Sequence, residues 1–359
     1  MIRIHRGDLE LYCCNVFLAL GLSQKEAEDS SQILVSADAR GIASHGIARL
    51  WRYANGIKGG IMQAGIRPLV LRQTPQSLVL DAQGAMGLSL SKETMGSVIA
   101  MADNHGIGFA SVRNSNHFGI AGFYSEMAAR KDMIGISMTN TAALGVPTFA
   151  RDAMFGTNPI AVSVPVSGDR MFTLDMATTC VTRGKIEAYE LEGKSIPSGW
   201  AVNSFGVGTN DASRLLEDML FQRGGGLLPL GGEGEDFSGY KGYGLAMLVD
   251  ILTAQLSGGV FGKHVMDSQQ TSARVCHFFG AIRLDLFRDV CDFKKDMGRM
   301  LDDIATSRVA QGENKVWYAG QKEHESEEES NRLGVPLSDK IVEKIKEIGK
   351  DLHVAFPED

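Results

Sequence analysis

Cysteine is scarce and unpaired: five residues, Cys13, Cys14, Cys180, Cys276 and Cys291, contain no C-x-x-C. An odd count without close spacing argues against a disulfide framework or a zinc site and fits a reduced, cytoplasmic protein. Histidine is no better arranged for metal. No H-x-x-H occurs and no carboxylates cluster in the motif segments, so no metal centre is expected. Positive excess is missing too. The net charge of -7 excludes a broad nucleic-acid footprint, and no basic block suggests a membrane surface. The start, "MIRIHRGDLELYCC", carries Arg3, Arg6, Asp8 and Glu10 and no apolar core of signal-peptide length. The most apolar later stretch, "GYGLAMLVDILTAQLSGG", is interrupted by Asp250 and Gln255 and reads as a buried helix, not a membrane span. Nucleotide loops are also absent. No G-x-G-x-x-G follows an expected strand, and "AYELEGKS" has Ala188 where a P-loop needs glycine.

What remains is the pattern of a soluble globular protein. The 359 residues, 44% hydrophobic and 22% charged, suffice for two domains. "LSQKEAEDSSQILVSADARG" opens on a capping box, Ser23 with Glu26, and stops at Gly41. "SHGIARLWRYANGIKGG" predicts a second helix capped by Ser44, with Ile47, Leu50, Trp51, Ala54 and Ile57 on its apolar side. From about residue 76 the period changes. Strands are expected in "SLVLDAQG", "IGFASVRN", "MIGISMTN", "IAVSVP" and "MFTLDMAT", and helices in "SLSKETMGSVIAMADNHG" and "FGIAGFYSEMAARKD". Such alternation implies an α/β sheet with helices packed on it. The Gly-rich "QRGGGLLPLGGEGEDFSGYKGYG" is expected to be a flexible surface loop, and the acidic "HESEEES", residues 324 to 330, a solvated segment without function.

Three segments offer chemistry. At the joint "NSNHFG", His117 stands between a strand and a helix, at the sheet edge where α/β folds bind ligands. The positive helix end there disfavours imidazolium, so the ring suits proton exchange with an alcohol. A His that merely bonds to a neighbouring carbonyl is the alternative. In "SHGIAR", His45 and Arg49 are four apart and share a helix face with Ser44 at its start, so an arginine fork, an imidazole and a helix N-terminus could meet a carboxylate. A capped helix with a surface arginine would give the same pattern. "FGTNP", "LDMATT" and "SGYKGYG" supply small and hydrogen-bonding residues, the last with Lys241 among glycines that let backbone approach a phosphate.

Taken in order, "SHGIARLWRY", "NSNHFGIAGFYSEMA", "FGTNPIAVSVP", "LDMATT", "IPSGWAV", "LLPLGG", "GYKGYGLAMLVDIL" and "VWYAGQ" resemble the malate/L-lactate dehydrogenase family of NAD(P)-dependent oxidoreductases. That family includes sulfolactate and ureidoglycolate dehydrogenases and diketogulonate reductases, and is unrelated to the Rossmann-type lactate and malate dehydrogenases. The resemblance implies a non-Rossmann, mixed-sheet cofactor domain over residues 76–255, beside a helical domain built from residues 1–75 and 256–359. It implies His117 as the catalytic acid–base group, with Ser44, His45 and Arg49 in the substrate-binding segment. It also implies cofactor contacts from Asn140, Thr141, Gly156, Thr157, Asp175, Met176, Ala177, Lys241 and Gly242. The family's late P-G-[EQ] segment falls on Ala319, Gly320 and Gln321, with alanine in place of proline. NAD is the expected cofactor, with NADP the alternative, and a homodimer the expected assembly. Malate is the first-choice substrate. Lactate, sulfolactate, another 2-oxo acid or a cyclic imine, and a non-catalytic ligand-binding relative, stand as alternatives.

Overall fold

The computed structural model describes residues 2–168, 170–266 and 272–357. A short strand, β1 (Ile2–Ile4), leads into α1 (Arg6–Ala19), α2 (Gln24–Ala39) and α3 (Leu50–Lys58). The Ser23–Glu26 capping box is present in full, and Gly41 turns the chain with φ +77°. Next come β2 (Leu69–Gln73), β3 (Ser77–Asp81), α4 (Gly87–His105), β4 (Ile107–Ser115), α5 (Ala121–Ala129), β5 (Met133–Thr139), β6 (Ile160–Pro165) and β7 (Met171–Met176). A small lobe follows, of α6 (Arg183–Leu191), β8 (Ala201–Val202), α7 (Ala212–Leu220) and β9 (Gly226–Leu227), around its own core of Ile186, Ala201, Leu215 and Leu227. The chain ends in α8 (Gly239–Asp250), β10 (Val275–Arg283), α9 (Val290–Ala305), α10 (Gln321–Leu333), β11 (Val335–Leu337) and α11 (Asp339–Asp351).

Seven strands form one mixed sheet in the order β2-β3-β4-β10-β5-β6-β7. β3 and β4 run parallel, while β10 is antiparallel to both β4 and β5. β6 is antiparallel to β5 and β7. The carboxyl ends of β3, β4, β5 and β7 therefore share one edge, which is where the expected site residues fall.

β10 corrects the expected domain partition. It comes from the stretch grouped with the helices, yet it occupies the centre of the sheet. "VCHFFGAIR" gives no alternating signal because its first seven residues are buried on both faces. The helical layer and the sheet share one continuous core, running from Leu9, Phe17 and Leu34 to Met95, Val112 and Phe279.

Three further expectations change. The apolar stretch after Gly239 is a helix with one open face: Met247, Leu248, Ile251 and Leu256 are all exposed. At Ile251–Gln255 it widens into a π-turn, and the Ser111 hydroxyl, 3.0 and 2.9 Å from the Leu252 and Thr253 carbonyls, meets the disturbed backbone. The Gly-rich stretch is packed, not free. Leu227 and Leu228 are buried, and a Cβ on Gly242 would lie 2.2 Å from the Leu230 carbonyl, so backbone stacks directly on backbone. Finally, residues 324 to 330 belong to α10 and are not merely solvated. Glu327 pairs with Arg6 at 3.0 Å and with Arg40 at 3.1 Å, and Ser330 is buried.

Candidate active site

The turn after α2 is built differently from the helix its spacing predicts. Ala43–His45 and Ile47–Arg49 form two short 3-10 turns separated by Gly46 in extended backbone, and α3 begins only at Leu50. Ser44 is not its cap. No side chain caps α3, and the turn before it is held from α2, where the Ile47 N–H donates to Asp38 Oδ2 at 2.6 Å. A Cβ on Gly46 would stand 2.2 Å from the Asp38 carboxyl, so only glycine allows that approach. Burial drives Asp38 up to about 7, and its Oδ1 is buried without a hydrogen-bond partner among the described residues. Arg49 Nε donates to the Ser44 carbonyl at 2.7 Å, and Ser44 Oγ lies 2.9 Å from His45 Nδ1. Ser44, His45 and Arg49 are thus brought together by turn closure, not by a shared helix face.

His117 sits between β4 and α5, as its pattern predicts. The small polar residues before it bind the neighbouring turn, and do not simply leave space. Asn114 Nδ2 donates to Asp81 at 2.9 Å, and Asn116 Nδ2 to the Gly84 carbonyl at 2.8 Å. α4 presses on this joint from behind: a Cβ on Gly87 would meet the Asn116 carbonyl at 2.1 Å. The His45 ring stacks on His117 with centroids 5.5 Å apart. Tyr53, from α3, places its hydroxyl 2.6 Å from His117 Nδ1.

Electrostatics keep both imidazoles neutral. His117 retains some solvent exposure, yet enough protein surrounds it that desolvation pushes its pKa well below 6.5. His45, Arg52, Arg49 and His277 add to the depression. Burial, before any helix end, is the main cause. His45 falls to about 4, by burial first and then by Arg49 and Arg52. His277, stacked on Phe118 at 4.7 Å, is held down at about 3 by burial.

Along the same edge, the expected cofactor segments fall into two connected groups. Thr157 N–H donates to Thr141 Oγ1 at 3.0 Å, and Gly156 lies so close that a Cβ would be 2.0 Å from that oxygen. Thr178, just after Met176 and Ala177, receives the Leu230 N–H at 2.8 Å, and Leu230 abuts Gly242. Lys241 is exposed beside it, its ammonium 5.7 Å from the Tyr240 ring. In the second group, Asp175 accepts from the Gly122 N–H at 2.7 Å, and Thr173 N–H donates to the Ala319 carbonyl at 3.2 Å. Asn140 stands apart: its buried amide is engaged by Asp250, Val260 and Cys276 and ties the end of α8 to the sheet.

A cavity of about 320 Å³ opens beside the second group, walled by Ile42, Ile120, Asp175, Trp317, Ala319 and Gly320. Asp175 reaches solvent there, but the surrounding protein still lifts its pKa to about 6 by desolvation. Beside this wall, Gln321 Oε1 is buried with no hydrogen-bond partner among the described residues. A cleft that combines apolar walls with charged side chains, backbone groups and an unused buried acceptor beside it fits a planar amide-bearing ring and a ribose.

Several of these residues carry no sequence signal. Tyr53 lies in a quoted motif, but nothing in its spacing predicts contact with His117, 64 positions later. Arg40 reads as the end of a helix, yet it donates a bidentate pair to Glu126 at 2.9 and 2.7 Å.

Comparison with known proteins identifies the family of the chain. The chain is 40% identical over 353 residues to a malate dehydrogenase of Pyrococcus abyssi, covering 98% of this chain and 96% of that one. It is 33% identical over 339 residues to a malate/(S)-sulfolactate dehydrogenase of Methanothermus fervidus, covering 94% of each. The fold superposes on the crystal structure of malate dehydrogenase from Entamoeba histolytica with a TM-score of 0.94, at 31% identity and 99% coverage of both chains. With residues 4–346 also matching the profile described as malate/L-lactate dehydrogenase, the chain belongs to that family.

Proposed function

We propose that this protein is a 2-hydroxyacid dehydrogenase interconverting malate and oxaloacetate, with NAD as cofactor and His117 as acid–base group. One observation carries the reading: two stacked, desolvated imidazoles and an arginine turn stand at the sheet edge where the cofactor segments converge. The names of the relatives support the substrate. When bound, the nicotinamide supplies or accepts hydride. The chain's own residues do the rest. Arg49 grips the substrate carboxylate, with Ser44 and His45 orienting it, and His117 Nε2 takes the hydroxyl proton in oxidation and returns it in reduction. Asp175, Gln321 and the Ala319–Gly320 backbone hold one end of the cofactor, and Thr141, Thr157, Lys241 and Gly242 the other. No Lewis acid is needed where arginine and histidine polarise the carbonyl.

The exposed apolar face of Met247, Leu248, Ile251 and Leu256 supports a homodimer, testable by light scattering. Five free cysteines fit the reducing cytoplasm.

The test is a panel of oxaloacetate, pyruvate, sulfopyruvate and a cyclic imine, each with NADH and NADPH, followed by absorbance. Fastest turnover of another substrate moves the assignment within the family, and turnover of none refutes an oxidoreductase. On the same panel, Arg49→Lys keeps the charge but loses the fork, so kcat/KM should fall roughly ten- to a hundredfold with little change in NADH binding. Equal values for variant and wild type would remove Arg49 from the site.

The depressed His117 also sets a pH dependence. Its neutral form dominates above the ordinary value of 6.5, so kcat/KM for malate oxidation should be flat from about pH 7 upward and fall only on the acid side. Reduction needs the protonated ring, populated only below the depressed pKa. Its kcat/KM should therefore drop about tenfold per pH unit across the neutral range. A rising oxidation limb above pH 7.5 would contradict the neutral resting state.

A further inference from the structure

Tyr53 has no part in the chemistry outlined so far, yet it is fully buried, and its hydroxyl makes the shortest polar contact of the His117 ring. The position is held by packing. The Tyr53 ring meets Phe17 edge-on at 6.3 Å and lies tilted 5.9 Å from His117. A second group approaches the same nitrogen, the Gly119 N–H at 3.3 Å from Nδ1.

An amide N–H only donates, so Gly119 favours the tautomer with a bare Nδ1 and the proton on Nε2. That tautomer cannot act as a base toward substrate, because Nε2 has no lone pair to offer. The working states have the opposite need. As a base the ring must carry its proton on Nδ1, and as an acid it must carry protons on both nitrogens. In each case Nδ1–H requires an acceptor. The hydroxyl of Tyr53 accepts as well as donates, and it lies at hydrogen-bonding distance.

We propose that Tyr53 is the positioning residue that sets the tautomer of His117 against the pull of Gly119, accepting from Nδ1–H in both working states so that Nε2 alone takes and returns the substrate proton. It thereby lets one imidazole run the reaction in either direction. This rests on the reading of His117 as the acid–base group. A carboxylate at this place would fix Nδ1–H too, but it would stabilise imidazolium and bias the ring toward taking the hydroxyl proton over giving it back. A phenol is neutral and leaves the imidazole pKa low. Burial holds the Tyr53 phenol well above its usual range, so it stays protonated and acts as a rotor, not as a proton source.

The experiment compares Tyr53→Phe, which keeps the ring packing, with His117→Ala, measuring kcat, KM for oxaloacetate and malate, NADH affinity by fluorescence, and the pH profile of oxidation. Tyr53→Phe should lower kcat about ten- to a hundredfold, as expected for a misoriented catalytic group, with KM and NADH affinity nearly unchanged. The acid limb should move to lower pH, because imidazolium loses its acceptor. Wild-type kcat and an unshifted limb in Tyr53→Phe, with His117→Ala inactive, would overturn the proposal and leave the acid–base assignment standing. Turnover of His117→Ala within a few-fold of wild type would overturn both. If Tyr53→Phe does not fold, ring nitrogen shifts of His117 in the wild-type enzyme decide. Nδ1–H in the complex with NADH and a non-reacting 2-oxo acid analogue supports the proposal, and a bare Nδ1 there refutes it.

Discussion

His117→Ala is expected to lower kcat by about a hundredfold at the least and up to roughly ten-thousandfold, the range contributed by a positioned acid–base group. The loss should appear in both directions, since the same nitrogen takes the proton in oxidation and gives it in reduction. NADH affinity should hardly move, because the residues proposed to hold the cofactor make their hydrogen bonds to one another and to neighbouring backbone, not to the His117 ring. Steady-state rates with a fluorescence titration of NADH check both halves. Turnover within a few-fold of wild type would remove His117 as proton donor. A collapse of NADH binding would instead point to damage along the whole sheet edge.

Arg40→Met should produce the largest loss of stability. The guanidinium is only 6% exposed and joins α2 to α5 through Glu126 and to α10 through Glu327. Removing it takes the shared cation from two mostly buried carboxylates and leaves them only the more exposed Arg130 and Arg6, so the loss approaches the about 3–5 kcal/mol of a broken buried pair. With an unfolding entropy of roughly 2.1 cal/mol/K per residue, a chain of 359 residues should lose about 4–7 °C in Tm. Replacing Arg40, Glu126 and Glu327 together by apolar residues should recover much of that loss, because the cost lies in the unpaired charge. A single variant that melts with wild type would mean water reaches the carboxylates and the pair contributes little. Scanning calorimetry on the two variants distinguishes these outcomes.

The sequence made some of this architecture legible because its cues were local. The Ser23 capping box, the alternation from residue 77 to 176 and the polar joint at His117 each express themselves within a few residues, so period and cap chemistry suffice. The rest depends on long-range contact. The "SHGIAR" spacing satisfies a helix, but a carboxylate from the preceding helix and an extended Gly46 break it into turns. The charged run at 324 to 330 looks solvated until Arg6 and Arg40, more than 280 positions earlier, are placed beside it. Asn140 reads like a cofactor contact because it borders Thr141, yet its amide is engaged by partners more than a hundred positions away.

The central position of β10 sets the order in which the protein can be made. During synthesis, β2, β3 and β4 emerge first and β5, β6 and β7 next, but the strand that joins the two halves, Val275–Arg283, leaves the ribosome long afterwards. Until then β4, with Ile107, Phe109 and Val112, and β5, with Ile134 and Ile136, present open edges that would pair with any strand offered to them. The catalytic edge is therefore among the last parts of the molecule to acquire its final shape. A nascent chain arrested before Val275 carries His117 and Thr141 on two half-sheets without the strand that aligns them. Non-local closure of this kind folds slowly, so the dependence of this enzyme on chaperones should be decided by one nine-residue strand near its carboxyl end.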